Sequence, residues 1–596
     1  MKPDRNASDS PSATHRRTFL KSSLLTSAAA TSGLHGVQPS AATAAPVEPS
    51  TGERLYNGIQ LPTTWPPRNM EPDSYSPMPL PYLQSPPKVI PIDVGRQLFV
   101  DDFLIEYTDL ERSFHQPVKH DANPLLKPET EVEMNQGLCP TAAPFSDGCF
   151  YDPDDQLFKM WYMAGWYRGT ALATSRDGIS WERPQLDVVP GTNLVLPTKD
   201  TRDGVSLWLD HDASEPEERF KMYRFERSGT IRKELTRKGG YILTSADGIH
   251  WNWRGQIGKT GDNSTFFYNP FRKRWVFTVR TVGRAAPPWA AHASDSGKPS
   301  RGRARSYWEN EAFLAAVGGW QGYDPVFWLG ADRFDRKRKN YALGREPQLY
   351  KIDAVGYESL MLGLLQPHYG PPNEECARGG FPKLTELQLA FSRDGFHWDR
   401  SCRQTFIGAT LEKESWERAY VHSIGGVCNI VGDQVYFYYT AFQGDETNRR
   451  RQWHLNGMNA NASTGLAVLR RDGFASIDAG DEEGILLTRP LKFSGKYLFV
   501  NAAADQLRVE VCQEDGRPIP GFSRDECRAF TGDSTKQRLT WRQREDLESI
   551  SGQQVRLKFY LRRSRLYSFW VSRNQQGASG GATAAGGPGL SGTWDA

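Results

Sequence analysis

At 596 residues the chain is too long for one compact core and predicts two or three domains with tails. A hydrophobic content of 38% is ample for folding, and no apolar run reaches the roughly 18–20 residues that cross a bilayer as a helix. A net charge of +3 is close to balance, so nothing global points to nucleic acid.

Residues 1–45 read as an export address. His15-Arg16-Arg17-Thr18-Phe19-Leu20-Lys21 resembles the twin-arginine motif, a mildly apolar stretch follows from Ser22 to Leu34, and Ala42-Thr43-Ala44 suits a signal peptidase. This predicts a periplasmic or secreted protein that crosses the membrane already folded. Residues 46–94 are rich in proline (Pro62, Pro66, Pro67, Pro77, Pro79) and read as an extended lead-in with little regular structure. Order is expected from Gln97-Leu98-Phe99-Val100-Asp101-Asp102 onward.

Between residues 95 and 485 short alternating strands dominate, and an internal repeat emerges. Ser175-Arg176-Asp177-Gly178-Ile179-Ser180-Trp181 recurs as Ser245-Ala246-Asp247-Gly248-Ile249-His250-Trp251 and as Ser392-Arg393-Asp394-Gly395-Phe396-His397-Trp398. A decayed copy is Arg471-Asp472-Gly473-Phe474. In each, a strand ends, Asp-Gly turns the chain, and an aromatic opens the next strand. Aromatic strands such as Phe158-Lys159-Met160-Trp161-Tyr162 precede the turns. Together they mark five units, which predicts an all-β, five-bladed β-propeller. The alternative is a two-sheet sandwich occurring twice. A basic insertion near 284–322 interrupts the third unit. Its Arg301, Arg303 and Arg305, like Arg449-Arg450-Arg451, read as solvated loops, with an anionic polysaccharide as the other reading.

From 486 to 573 the alternation sharpens, as in Leu507-Arg508-Val509-Glu510-Val511, and predicts a C-terminal β-sandwich. The Gly/Ala/Ser-rich stretch 574–596 reads as a disordered tail. Seven cysteines without CxxC spacing do not make a zinc site; Cys512 and Cys527 could pair, or all could be free and buried.

A propeller exposes its innermost strands to a central funnel, so a site there draws residues from several blades. Acids near the starts of successive units are Asp147, Asp210, Asp262 and Glu358. Glu358 lies in an apolar run from Val355 to Leu365, where desolvation would raise a carboxyl pKa as a general acid requires. Trp161, Trp166, Trp208 and Trp289 are candidate platforms for stacking on sugar rings, each also at home in a core or rim.

The repeat with these acids resembles the five-bladed glycosidases of glycoside hydrolase families 43 and 32. Asp147 before Phe158-Lys159-Met160-Trp161-Tyr162 is similar to their first-blade pattern, Asp262 before Tyr268-Asn269-Pro270 to the second acid, and Tyr357-Glu358-Ser359 to the segment carrying the acid. The Trp-Met-Asn-Asp-Pro-Asn-Gly and Arg-Asp-Pro segments typical of family 32 are absent. A nearer likeness is to uncharacterised secreted bacterial proteins with a similar Leu98-to-Ile105 start and Asp-Gly-x-x-Trp turns. The resemblance implies an exported glycoside hydrolase in which Glu358 protonates the leaving oxygen, Asp147 serves as base or nucleophile and Asp262 orients the substrate. A non-catalytic carbohydrate-binding propeller and a cell-surface adhesion or scaffold protein are the alternatives. The partner expected is carbohydrate, with no cofactor; a structural Ca²⁺ in the channel is compatible with such funnels.

Overall fold

The computed structural model describes residues 52–71, 76–197, 202–227, 238–284, 302–321 and 324–595. The twin-arginine segment and Trp289 lie outside these residues. Strands dominate, and helix among the described residues is confined to short segments such as Glu131–Met134 and Asn373–Gly379.

Five sheets of four or five strands form the blades of a β-propeller. Their innermost strands are Ala142–Asp152, Arg202–Leu209, Thr265–Asn269, Gln348–Glu358 and, in two pieces, Ala419–His422 and Asn429–Val431. The second strands lie between neighbouring blades and are buried on both faces, which explains their near-continuous apolar runs: Phe158 to Ala164 is buried throughout. The fifth blade takes its outermost strand from Val118–Lys119, ahead of the first blade, so the ring is closed by hydrogen bonds between distant parts of the chain. Propeller pairing thus begins at Val118 rather than at residue 95.

The repeat proves to be a clamp between blades. The Asp177 carboxylate accepts the backbone N–H groups of Ile179 and Ser180 at 2.8 and 2.7 Å, and Asp247 and Asp394 repeat this. Glycine follows because the turn requires positive φ, +75° at Gly178 and +77° at Gly248. An aromatic side chain of the preceding blade then seizes the turn. Trp161 Nε1 donates to the Gly248 carbonyl at 2.8 Å, Trp328 Nε1 to that of Phe396 at 2.8 Å, and the Tyr438 hydroxyl to that of Gly178 at 2.6 Å.

The C-terminal strands form a ten-stranded β-module around its own apolar core. It is not self-contained in sequence: Gln97–Leu98, Ile105–Thr108 and Glu111–Phe114 pair with strands between Ala475 and Ser572. The Pro-rich lead-in has little regular structure, yet Leu55, Ile59, Leu61 and Tyr82 are buried in that core. The decayed repeat makes the joint between module and propeller. Asp472 is buried and accepts from Arg96, Tyr357 and Ser568.

The tail expected to be disordered is instead ordered against the propeller. Ala582–Thr583 pairs with Tyr357–Glu358 of blade four, and Tyr151 of blade one donates to Ala585. Ile430 of blade five donates to Gly586, Thr593 bonds Asp212 beyond the inner strand of blade two, and Trp594 meets Phe271 of blade three edge-on. The tail therefore crosses one end of the channel and touches every blade. Its small residues are what packing demands there, since a Cβ on Gly587 would lie 1.6 Å from the Ile430 carbonyl oxygen. All seven cysteines are free.

Partial burial pushes the Asp177 and Asp247 carboxyls up, but the N–H and side-chain donors of their turns outweigh it and hold both at about 2, below the ordinary 3.8. A depressed carboxyl stabilises the fold fully above its unfolded value, and that contribution is lost as pH falls through the folded one. Urea midpoints should therefore fall between pH 4 and pH 2, and Asp177→Asn with Asp247→Asn should flatten that decline.

Candidate functional site

All five innermost strands begin at the same end of the channel, opposite the tail, and a polar cavity of about 60 Å³ lies there. Blade two supplies Asp203, from Arg202–Leu209, and Arg227, just beyond Phe220–Glu226. Asp262 and Asn263 precede the inner strand of blade three, whose Arg274–Arg284 and Gly302–Asn310 strands supply Arg280 and Arg303. Tyr350 opens the inner strand of blade four, Tyr420 that of blade five, and Lys383 precedes Leu384–Thr385. Trp166 and Tyr167, stacked at 4.4 Å in a turn of blade one, complete the wall.

Charge is sorted across this cavity. On one wall the Arg227 guanidinium bonds both Asp203 and Asp262, Arg280 pairs with the other oxygen of Asp262, and the Tyr167 hydroxyl donates to Asp203 at 3.0 Å. On the other wall the Tyr350 and Tyr420 hydroxyls lie 2.8 Å apart, and Lys383 Nζ reaches Tyr350 Oη at 3.4 Å. The Lys383 ammonium also lies 4.6 Å from the centre of the Tyr420 ring, and the Arg303 guanidinium 5.4 Å from that of Tyr350. Burial pushes the Tyr350 hydroxyl up, but Lys383 and Arg303 outweigh it and draw it down to about 8. Burial holds its partner Tyr420 well above the ordinary tyrosine range.

Below the cavity the channel is filled. Asp147 and Arg202 are fully buried and form a bidentate pair at 2.9 and 2.8 Å. Burial raises the Asp147 carboxyl despite Arg202. On the axis beside it, Lys351 Nζ donates to the Ser423 carbonyl at 2.6 Å and Ser146 Oγ at 3.0 Å, and pairs with Asp353 at 2.9 Å. Lys351 thus gathers oxygens from three blades on the axis. Among the described residues, no group of three or more His, Cys, Asp or Glu side chains is arranged to hold a metal ion.

The structure does not bring the three sequence-predicted acids together. Asp262 lines the cavity, whereas Asp147 is locked beneath it. Glu358 ends the strand that Tyr350 opens, roughly 25 Å away at about 3.3 Å per residue. There it is bonded by Arg471 at 2.9 Å, Ser579 Oγ at 2.7 Å and the Arg96 N–H at 3.1 Å, in the joint with the β-module. Its apolar flanks belong to a strand buried along its length. Asp210 is likewise at the tail end, paired with Lys221 at 2.8 Å. Of the tryptophans, Trp166 lines the cavity, while Trp161 and Trp208 are buried between blades.

The sequence did not point to Asp203, Arg227, Tyr350, Lys383 or Tyr420. A signal for Asp203 existed, since Arg202-Asp203-Gly204 stands at the true start of a strand that Asp210 follows. The Arg303 and Arg305 pair also departs from the solvated-loop reading: both lie on the Gly302–Asn310 strand, Arg303 at the cavity and Arg305 fully buried. A wider groove of about 940 Å³ lies between residues 76–84 and blades three and four. Its Asp332, with Asp335 beside it, is paired with Arg400 and Arg403, and its Asp399 accepts the Ser401 N–H at 2.7 Å.

No protein-family model matches the chain, and no curated protein is similar to it. Similar solved structures include an N-acetylgalactosamine deacetylase from F. plautii in complex with blood group B trisaccharide, at 12% identity over 56% of this chain and 96% of that one, TM-score 0.35. A GH32 β-fructofuranosidase from Bombyx mori is 10% identical over 78% of this chain and 94% of its own, TM-score 0.33. An exo-β-1,3-galactanase from Phanerochaete chrysosporium is 11% identical over 72% and 98%, TM-score 0.30. The likeness is one of fold.

Two outcomes follow from the channel chemistry. Asp147→Asn should cost about 3–5 kcal/mol in denaturant unfolding, because Arg202 is left as an uncompensated buried charge. Ultraviolet titration at 295 nm should show one tyrosinate forming near pH 8. Tyr350→Phe should abolish that step and Lys383→Met should move it upward.

Proposed function

We propose that this protein is an exported glycoside hydrolase whose site is the cavity at the strand-start end of the propeller. The observation that carries the reading is convergence: two carboxylates from adjacent blades, an acidified hydroxyl and two aromatic rings meet at the one place where all five inner strands begin. Glycosidic cleavage passes through a cation-like transition state, which a fixed carboxylate stabilises or captures, while a proton is delivered to the leaving oxygen. Asp262 and Asp203, fixed in place by Arg227 and Arg280, suit the first task. Tyr350, with its hydroxyl near 8, suits the second, because a donor works best with its pKa close to the working pH. Trp166 and Tyr167 supply an apolar face beside them.

In this reading Asp147 and Glu358 are structural. Hydrolysis of a panel of polysaccharides and aryl glycosides is expected to fall at least ~100-fold in kcat/KM for Asp262→Asn and Asp203→Asn. Glu358→Gln should keep its kcat/KM and lose thermal stability. Loss of turnover in folded Glu358→Gln, with Asp262→Asn active, would return the site to the other end of the channel. Sugar binding without hydrolysis across the panel would make the protein a carbohydrate-binding propeller.

A further inference from the structure

The cavity carries more positive charge than its own acids can use. Four cations, Arg227, Arg280, Arg303 and Lys383, face two carboxylates. Arg227 and Arg280 take both carboxylates, which leaves Arg303 and Lys383 with no carboxylate partner among the described residues. Lys383 is only 5% exposed, and its contacts are the Tyr350 hydroxyl at 3.4 Å and the faces of two tyrosine rings. An ammonium so far from water, without a counter-ion, is costly to keep. Arg303 anchors Nη1 on Gln348 Oε1 at 2.8 Å, and its guanidinium meets no acid. One step deeper on the same strand face, Arg305 is fully buried with Nε and Nη2 unpartnered, so the positive field continues below. The Asn263 side-chain oxygen at the cavity wall is also buried without a partner.

We propose that Lys383 and Arg303 form an oxyanion subsite that takes the carboxylate or sulfate group of an acidic sugar, which makes the substrate an anionic glycan. The inference rests on the carbohydrate reading and names its substrate class. The geometry suits it on three counts. A space of about 60 Å³ holds a few waters or one small oxyanion, not a whole pyranose ring. A guanidinium fork and an ammonium that line one small cavity are the usual donors for carboxylate and sulfate. The bound anion would also share the cavity with Asp203 and Asp262, whose charges Arg227 and Arg280 offset, while the sugar's ring stays at the cavity mouth.

The test is calorimetric binding of the full chain to two pairs of glycans that differ only in charge: oligogalacturonate with its carboxyl-reduced counterpart, and dextran sulfate with dextran. The anionic member of one pair should bind at least ten-fold more tightly, with affinity falling as salt rises, and the pair that shows it distinguishes carboxylate from sulfate. Lys383→Met and Arg303→Gln should each erase most of that preference, bringing the affinity for the anionic member down toward that for the neutral one. Arg303 is only half-buried, so its variant serves if Lys383→Met does not fold, and thermal melts identify that case. Equal binding of neutral and anionic members, or an undiminished preference in both variants, would overturn the subsite while leaving the carbohydrate reading intact. Inorganic sulfate binding as tightly as the acidic glycan would overturn the assignment to a sugar substituent. Binding of no glycan at all would overturn both readings together.

Discussion

Five sheets closed into a ring bring their innermost strands onto a shared axis, and every polar group on that axis must then find its partner inside the protein. Asp147 meets Arg202 across blades one and two, and Lys351 gathers oxygens from blades one, four and five. These contacts fill the middle of the channel. Once it is filled, each blade has two chemically separate ends, and residues on one inner strand no longer share an environment. Asp203 and Asp210 are seven positions apart, yet one faces the cavity and the other the tail.

The rest of the architecture serves the same closure. Repeat turns are held by aromatic donors of the preceding blade, so rotation of one blade against the next would break a buried hydrogen bond. The tail closes the far end with glycine and alanine because only small residues allow a backbone to lie so near the strand ends. Next to it, Glu358, Arg96, Arg471 and Asp472 tie the β-module to blade four. Buried charges at this end are consumed by joints. A carboxylate in an apolar stretch is as useful for holding two domains together as for chemistry, and its partners decide which.

What distinguishes the strand-start end is that its charges are not all consumed. The two acids are satisfied on one wall, while Lys383 and Arg303 on the other wait on aromatic faces. Their field lowers the Tyr350 hydroxyl, linking the electrostatics of recognition with a group able to exchange a proton. Pairing, rather than burial, separates this site from the framework around it.

By itself the sequence determined the all-β propeller, its five units and the turns between outer strands, because alternation, Asp-Gly turns and recurring aromatics act over a few residues and leave a local record. It also marked Asp262 and Trp166 for the region where the cavity lies. Only the tertiary structure decided which acids meet. Asp147 and Glu358 have plausible neighbours in the chain, but their partners Arg202, Arg96 and Arg471 come from other strands and from the β-module. Lys383, Arg303, Tyr350 and Tyr420 carry no shared motif, since they arrive at one point from three blades. The tail's order was equally invisible: a run of glycine and alanine signals flexibility in a free chain and close approach in a packed one, and the surface it meets exists only after the ring has closed.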